Sequence, residues 1–118
     1  MNSKSFSYLV ALIGLVVSFS FTTLKSKDIE TSFWVNRDCP MCAKKIEAAA
    51  DLKGVKVAIY NMDTYMLSLV YNPKKITIGQ IHQAIADAGY DTDLIKASDD
   101  AYGKLPGCCQ YDRSVQPK

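Results

Sequence analysis

Residues 29–54 read IETSFWVNRDCPMCAKKIEAAADLKG, and this stretch decides the fold. At the start of this stretch, residues 29–35 alternate between a more apolar side and a more polar side. This alternation predicts a half-buried strand. Pro40 then stands where a helix accepts proline, the alanine-rich run after it favours helix, and Gly54 ends that helix. The stretch therefore predicts a strand and a helix joined by a short loop, with Cys39 in the loop and Cys42 in the first helical turn.

The rest of the chain predicts three more strands and one more helix. Residues 55–60 and 66–71 alternate as strands, and the polar turn between them makes a hairpin. Thr77 and Gln80 form a capping box at the start of the second helix, and residues 92–97 predict a short fourth strand. This order is the split βαβ, ferredoxin-like arrangement, an α+β fold. We therefore predict a four-stranded antiparallel sheet with both helices on one face.

Composition limits the class of protein. The chain has 118 residues, which is enough for one small domain, and 48% of them are hydrophobic, as in globular proteins. The net charge of +2 is spread thinly, so no basic run predicts a nucleic-acid partner. The sequence shows no paired carboxylates in a motif, no nucleophile with a base and no phosphate loop, so we do not expect an enzyme.

The N-terminal segment, residues 1–24, has the order of an export signal. Lys4 supplies a positive start, residues 6–24 carry no charge, and Lys25 closes the run. Two interpretations stay open, a cleaved signal peptide and a retained membrane anchor, because about 19 residues just span a bilayer. Either one places the domain at residues 28–97 outside the cytoplasm, in the periplasm or secreted, and the anchor would also tether it to the membrane.

The four cysteines fall into two pairs, Cys39 with Cys42 and Cys108 with Cys109, which indicates metal or redox chemistry rather than a disulfide framework. A spacing of three residues brings the first two sulfurs to one side of the helix start, where free N–H groups and the helix dipole favour thiolate. Two thiolates without histidine suit soft ions, Cu(I) first, then Hg(II) or Zn(II). Two ligands leave such an ion open to an incoming thiolate, which permits transfer between proteins.

The region from residue 29 to residue 97 resembles the heavy-metal-associated domain family, which includes copper chaperones, amino-terminal domains of metal-transporting ATPases and a periplasmic mercury-binding protein. The resemblance rests on the C-x-x-C motif between the first strand and the first helix, on Gly54-Val55, and on Ala88-Gly89-Tyr90. It implies the fold and soft-metal binding, with Cys39 and Cys42 as ligands. A metal-transporting membrane protein or another metal-binding domain is the implied partner. The family usually has Gly-Met-Thr before the first cysteine, whereas this chain has Asn36-Arg37-Asp38.

A redox function is the alternative for the same motif. C-P-x-C after a strand also looks like a thiol-disulfide oxidoreductase, with Cys39 as nucleophile and Cys42 as resolving thiol. Such a chain needs a later proline that starts a strand, whereas Pro73 ends a strand and precedes a helix. We therefore favour metal binding over redox chemistry and over a purely structural disulfide.

The tail at residues 98–118 is polar and carries Cys108 and Cys109. Adjacent cysteines bridge only through a strained ring, so these two are additional candidate metal ligands, with an interchain disulfide or a separate disordered tail as alternatives. The predicted fourth strand ends at the pole opposite the cysteine loop, so the tail must return along the domain. From Ala97 to Cys108 the chain reaches at most about 35 Å, more than the ~17–20 Å of one strand.

Five other side chains invite a functional interpretation. We expect His82 to be a partly exposed helix residue rather than a ligand. Tyr90 either shields the metal or packs as an ordinary tyrosine, and Met41 is expected to point away from the two cysteines. Trp34 and Tyr60 are expected on the outer face, where they could mark a partner surface.

Overall fold

The computed structural model describes residues 27–117, so the predicted signal peptide or anchor at residues 1–24 lies outside the described part. The elements in chain order are β1 (Ile29–Trp34), α1 (Pro40–Ala50), β2 (Val55–Asn61), β3 (Met66–Tyr71), α2 (Ile78–Asp87), α3 (Asp99–Gly103) and a 3-10 turn at Gly107–Cys109. Among these residues no helix has the length and apolar character needed to cross a membrane.

The three strands form one antiparallel sheet in the order β1-β3-β2. β3 lies in the centre, and its buried residues Leu67 and Leu69 belong to the same core cluster as Ile46 of α1 and Ile81 and Ile85 of α2. The capping box predicted at the start of α2 is present. The predicted α+β fold, with an antiparallel sheet and packed helices, is therefore confirmed.

The face that β2 turns to the core differs from the prediction. The register shifts between Val55 and Val57, and beyond this bulge Val57 and Ile59 are exposed while Tyr60 is buried. The Tyr60 hydroxyl donates a hydrogen bond of 2.6 Å to the Val35 carbonyl. The expectation that Tyr60 lies on the outer face was wrong. One extra residue in a strand moves every later side chain to the opposite face of the sheet.

Residues 92–97 do not form the predicted fourth strand in the described structure. Only Thr92 forms a strand-like pair, through a single antiparallel bridge to Val35, the residue that follows β1. The Thr92 N–H donates to the Ile95 carbonyl at 2.8 Å, and the Thr92 hydroxyl accepts from the Ile95 N–H at 3.0 Å. This turn diverts the chain from the sheet after one pair, because side-chain hydrogen bonds offer the backbone an alternative to the ladder.

The tail packs onto the domain directly after this turn, and so it does not have to return from the opposite pole. Leu105, Cys109 and Tyr111 are buried in the same core cluster as the sheet and helices. Gly89 makes the close approach possible: it has φ of +105°, and a Cβ there would lie 2.8 Å from the Ala101 carbonyl oxygen.

Two polar contacts fix the tail beneath the end of α2. The Tyr111 hydroxyl donates to the Gly89 carbonyl at 2.7 Å and accepts from the Asp91 N–H at 2.8 Å. The Arg113 guanidinium binds both carboxylate oxygens of Asp91, at 2.9 and 3.2 Å, and Asp91 is only 4% exposed. Because a buried carboxylate is costly without a partner, this pair ties residue 113 to residue 91.

Gly89→Ala is expected to destabilise the domain. A left-handed backbone with a Cβ costs about 1–2 kcal/mol, and the contact with Ala101 adds to this cost. Gly79→Ala in α2 is the matched control, because the nearest atom to its Cβ would be 4.0 Å away. There the free energy of unfolding should stay the same or rise by up to ~1 kcal/mol. Urea unfolding measures both variants, and equal stabilities would contradict the role of Gly89.

Candidate metal centre

The loop between β1 and α1 is held by contacts to the hairpin and to the tail. Asn36 is 1% exposed, and its side chain accepts from the Arg37 N–H at 2.9 Å and donates to the Asp112 carbonyl at 2.9 Å. Arg37 donates from Nε to the Met62 carbonyl at 3.1 Å, and its guanidinium lies 4.2 Å from the centre of the Tyr65 ring. These contacts occupy the place where the family usually has a methionine.

Cys39 and Cys42 meet at the start of α1. Cys39 is the N-cap residue, Pro40 follows in the first turn, and the Cys42 N–H donates to the Cys39 carbonyl at 2.9 Å. The two sulfur atoms are 3.9 Å apart. Cys42 is fully buried and Cys39 is half-buried, so the pair is open to solvent on the Cys39 side.

The electrostatics of this position favour an ionised Cys39. Burial acts to raise the pKa of Cys39, but hydrogen bonds from the Met41 backbone and the Cys42 side chain outweigh it and hold the pKa below its usual value. Thiolates at helix N-termini are stabilised in this way by the unpaired N–H groups. Cys39 can therefore present a thiolate to a metal ion at a lower pH than an ordinary cysteine.

The structure also brings Cys108 and Cys109 to this loop. The sulfur atoms of Cys39, Cys108 and Cys109 all lie within 4.8 Å of one another, and those of the adjacent pair are 4.0 Å apart. Cys109 is buried and Cys108 is exposed. Burial, together with contact to Cys42, raises the pKa of Cys109 to about 12. Three sulfur atoms, those of Cys39, Cys108 and Cys109, therefore form one group, and Cys42 adjoins it through Cys39.

Tyr90 is buried against the same cluster. Burial and the neighbouring thiols of Cys42 and Cys109 raise the pKa of Tyr90, so its hydroxyl stays protonated. This hydroxyl is the one buried side-chain polar group in residues 27–117 without a hydrogen-bond partner. Its polar neighbours include the sulfur atoms of Cys42 and Cys109, which as thiols are weak hydrogen-bond acceptors.

The other candidates lie apart from the thiols. His82 is 2% exposed, its ring stacks on Phe33 at 3.7 Å, and its Nδ1 lies 2.7 Å from the Thr92 hydroxyl. The expectation of a partly exposed histidine was therefore wrong, because Phe33 and Thr92 give the ring a buried place. Met41 is 52% exposed, in keeping with a side chain that points away, and Trp34 stacks on a neighbouring tyrosine.

Sequence reasoning missed the residues that dock the tail. Tyr111 and Arg113 lie in a segment that looks polar, and their partners Gly89 and Asp91 are about twenty positions earlier in the chain. No local period or motif links positions so far apart. The composition of the tail gave one sign that it could pack on the domain, because this mostly polar segment holds two tyrosines and one leucine.

Comparison with known proteins places the chain in a family. Residues 32–91 match the heavy-metal-associated domain, which covers half of the chain. The copper chaperone CopZ of Staphylococcus epidermidis, found in two strains, is 37% identical over 54 residues, which are 45% of this chain and 79% of that protein. The chain belongs to the heavy-metal-associated domain family, as its cysteine motif and glycine positions indicated.

Solved structures share the same fold. A CopZ metallochaperone has a TM-score of 0.52 at 29% identity, over 54% of this chain and 98% of that one. The N-terminal domain of a potential copper-translocating P-type ATPase from Bacillus subtilis, in its Cu(I)-loaded state, has a TM-score of 0.54 at 26% identity, over 61% and 92% of the two chains. Oxidized MerP from Ralstonia metallidurans has a TM-score of 0.53 at 21% identity, over 55% and 93%, a likeness of fold. The family match itself ends at residue 91, before the tail cysteines.

His82 makes the stability of the domain depend on pH. Burial lowers the pKa of His82, although the Asp93 carboxylate 3.9 Å away acts to raise it. The unfolded chain then binds the proton more readily, so stability is present above the ordinary histidine pKa of about 6.5 and is lost as the pH falls through it. Thermal unfolding of the reduced domain should show a lower Tm at pH 5.5 than at pH 7.5.

Two variants separate this effect from other titrations. His82→Gln should flatten the change in Tm between the two pH values, and Asp93→Asn should steepen it because the opposing carboxylate is gone. An unchanged pH dependence in both variants would show that His82 does not carry the effect.

Proposed function

We propose that this domain binds a soft metal ion, Cu(I) in preference to Hg(II), between the thiolates of Cys39 and Cys42. It passes the ion to a metal-transporting membrane protein or to another metal-binding domain. The observation that carries the proposal is a pair of sulfur atoms 3.9 Å apart at the start of α1, in a chain of the heavy-metal-associated family. The naming of its relatives as copper chaperones supports Cu(I) as the first choice.

The separation of the two sulfur atoms suits one shared ion. When each metal–sulfur bond is ~2.3 Å long, two sulfur atoms bound to one ion are about 3.8 Å apart in tetrahedral geometry and about 4.6 Å apart in linear geometry. The value of 3.9 Å between Cys39 and Cys42 lies in this window. Both sulfurs can therefore bind one ion with only a small change of side-chain angle.

The unequal burial of the two cysteines suggests an order for metal transfer. An incoming thiolate approaches on the side of half-buried Cys39, forms a bond to the ion, and displaces the Cys39 sulfur. Fully buried Cys42 keeps its bond until last. The ion stays Cu(I) throughout, so no electron moves, and the displaced Cys39 thiolate can accept the proton that the incoming thiol releases.

The thiol-disulfide oxidoreductase alternative is not favoured. The relatives with matching sequence are metallochaperones, which bind and transfer a metal without catalysing a reaction. Pro73 follows β3 and precedes α2, whereas the redox fold needs a proline at the start of a strand.

Export is part of the proposal. Its support is the uncharged run at residues 6–24 between Lys4 and Lys25. A periplasmic or secreted domain would meet metal ions before they cross the inner membrane. A retained anchor would hold the domain beside a membrane transporter, while a cleaved signal would leave it free to diffuse.

Replacing both Cys39 and Cys42 by serine is expected to weaken Cu(I) binding by at least about tenfold, equal to ~1.4 kcal/mol, because the two principal sulfur donors are lost. Competition against a chromophoric Cu(I) chelator under anaerobic conditions measures the affinity, and circular dichroism checks the fold. Met41→Ala is the matched control, since Met41 is exposed between the two cysteines, and it should leave the affinity unchanged. Undiminished affinity in the double serine variant would refute the assignment.

Alkaline phosphatase joined after Lys27 is expected to be active, because this reporter works only outside the cytoplasm. A matched fusion that lacks residues 6–24 should be inactive. The mass of the exported product then separates a cleaved signal from a retained anchor. An inactive fusion with residues 1–27 intact would rule out export through this segment.

A further inference from the structure

We propose that Cys108 and Cys109 bind the same ion as Cys39 and Cys42, so that the centre is a closed site with three or four thiolates. This inference rests on the proposed function, because it assumes that the first pair binds a soft metal. It adds that the tail changes the domain from an open carrier into one that retains its ion.

The distances between the sulfur atoms carry the proposal. Cys39 is 3.9 Å from Cys42, Cys108 is 4.0 Å from Cys109, and Cys39 lies within 4.8 Å of both tail sulfurs. Thiolate bonds of ~2.3 Å predict sulfur separations of ~4.6 Å for linear coordination, ~4.0 Å for planar three-coordination and ~3.8 Å for tetrahedral coordination. The separations within the two pairs match the higher coordination numbers. The limit of 4.8 Å for Cys39, Cys108 and Cys109 lies just beyond the linear value, so a small inward movement of these side chains would let them share one ion.

The tail reaches this position through contacts that do not involve sulfur. Tyr111 bonds to the backbone at Gly89 and Asp91, and Arg113 pairs with the buried Asp91 carboxylate. The Asn36 side chain also donates to the tail at the Asp112 carbonyl. These contacts lie within a few residues of Cys109, so the thiols are placed beside the loop before any metal arrives. Such preorganisation lowers the entropy cost of adding ligands.

The unpartnered hydroxyl of Tyr90 is explained by the same site. Binding of a metal ion displaces the protons of its cysteine ligands and leaves thiolates, which are strong hydrogen-bond acceptors. Tyr90 is buried in the same cluster as Cys42 and Cys109, so its hydroxyl is placed to donate to a sulfur ligand of the ion. Such a donor beside the ligands would help to orient them around the ion.

The burial of Cys109 is an argument against an interchain disulfide formed by Cys108 and Cys109. Cys108 is exposed, but Cys109 is completely buried and cannot meet another chain unless the tail leaves the core. The two adjacent sulfurs remain 4.0 Å apart as thiols. Their arrangement suits two bonds to one ion better than one bond to each other or to a partner chain.

Retention follows from the closed geometry. Cys39 is half-buried and Cys108 is exposed, so a partner thiolate would approach the ion past these two sulfurs and would compete with the tail ligands as well as with Cys39. Extra thiolates hold the ion more tightly and slow its exchange, which suits scavenging of a scarce or toxic ion more than rapid delivery.

X-ray absorption at the copper edge tests the proposal on the full exported chain, reduced and loaded with one Cu(I) under anaerobic conditions. Three or more sulfur neighbours are expected in the natural chain, and two in the Cys108→Ser/Cys109→Ser variant. The variant should also bind Cu(I) at least about tenfold more weakly. Cys108→Ser alone is the control for folding, because the Cys108 side chain is exposed, and its circular dichroism spectrum should match that of the natural chain.

Hydrogen exchange gives an independent readout. Amides of residues 105–113 should exchange more slowly when Cu(I) is bound to the natural chain, and should be unaffected by Cu(I) in the double serine variant. Two sulfur neighbours in both chains, with equal affinity and equal exchange, would overturn the inference and leave the proposed function intact. Failure of the natural chain to bind Cu(I), or binding that survives loss of Cys39 and Cys42, would overturn the proposed function and this inference with it.

Discussion

The buried ion pair between Asp91 and Arg113 is the contact on which the arrangement of the site depends. Asp91 sits where the chain leaves α2, and one of its carboxylate oxygens also accepts from the Ala97 N–H at 2.9 Å. One side chain thus fixes the turn that replaces a fourth strand and anchors the tail that follows it. Loss of Arg113 would leave the buried Asp91 carboxylate without its cationic partner, a change that costs about 3–5 kcal/mol.

The cysteine loop shows how the tail compensates for a departure from the family pattern. Where relatives usually place a methionine under the loop, this chain has Asn36 and Arg37. Asn36 is satisfied by the Asp112 carbonyl, and Arg37 by the Met62 carbonyl and the Tyr65 ring. The loop is therefore held by directional contacts, one to the tail at Asp112 and two to the hairpin at Met62 and Tyr65, so its geometry depends in part on a residue outside the matched family region.

The features that depend on neighbouring residues could be predicted from the sequence. The two main helices, three strands and the cysteine pair at the start of α1 follow from alternation, capping and helix propensity, which act over a few residues. The inner face of β2 could not be predicted, because a bulge after Val55 leaves no sign in the alternation of apolar residues. The predicted fourth strand does not form because the Thr92 side chain stabilises a turn there. The docked tail depends on pairs such as Asp91 with Arg113, which are too far apart in sequence for a local pattern to reveal them.

The order of the two cysteine pairs along the chain has a consequence for folding. Cys39 and Cys42 lie three positions apart at the start of one helix, whereas Cys109 comes beside Cys39 from a position 70 residues later in the chain. Contacts between distant positions form late, because the intervening loop must first be closed. The first pair therefore depends on one helix start alone, whereas bringing Cys109 to it requires the fold of the whole domain.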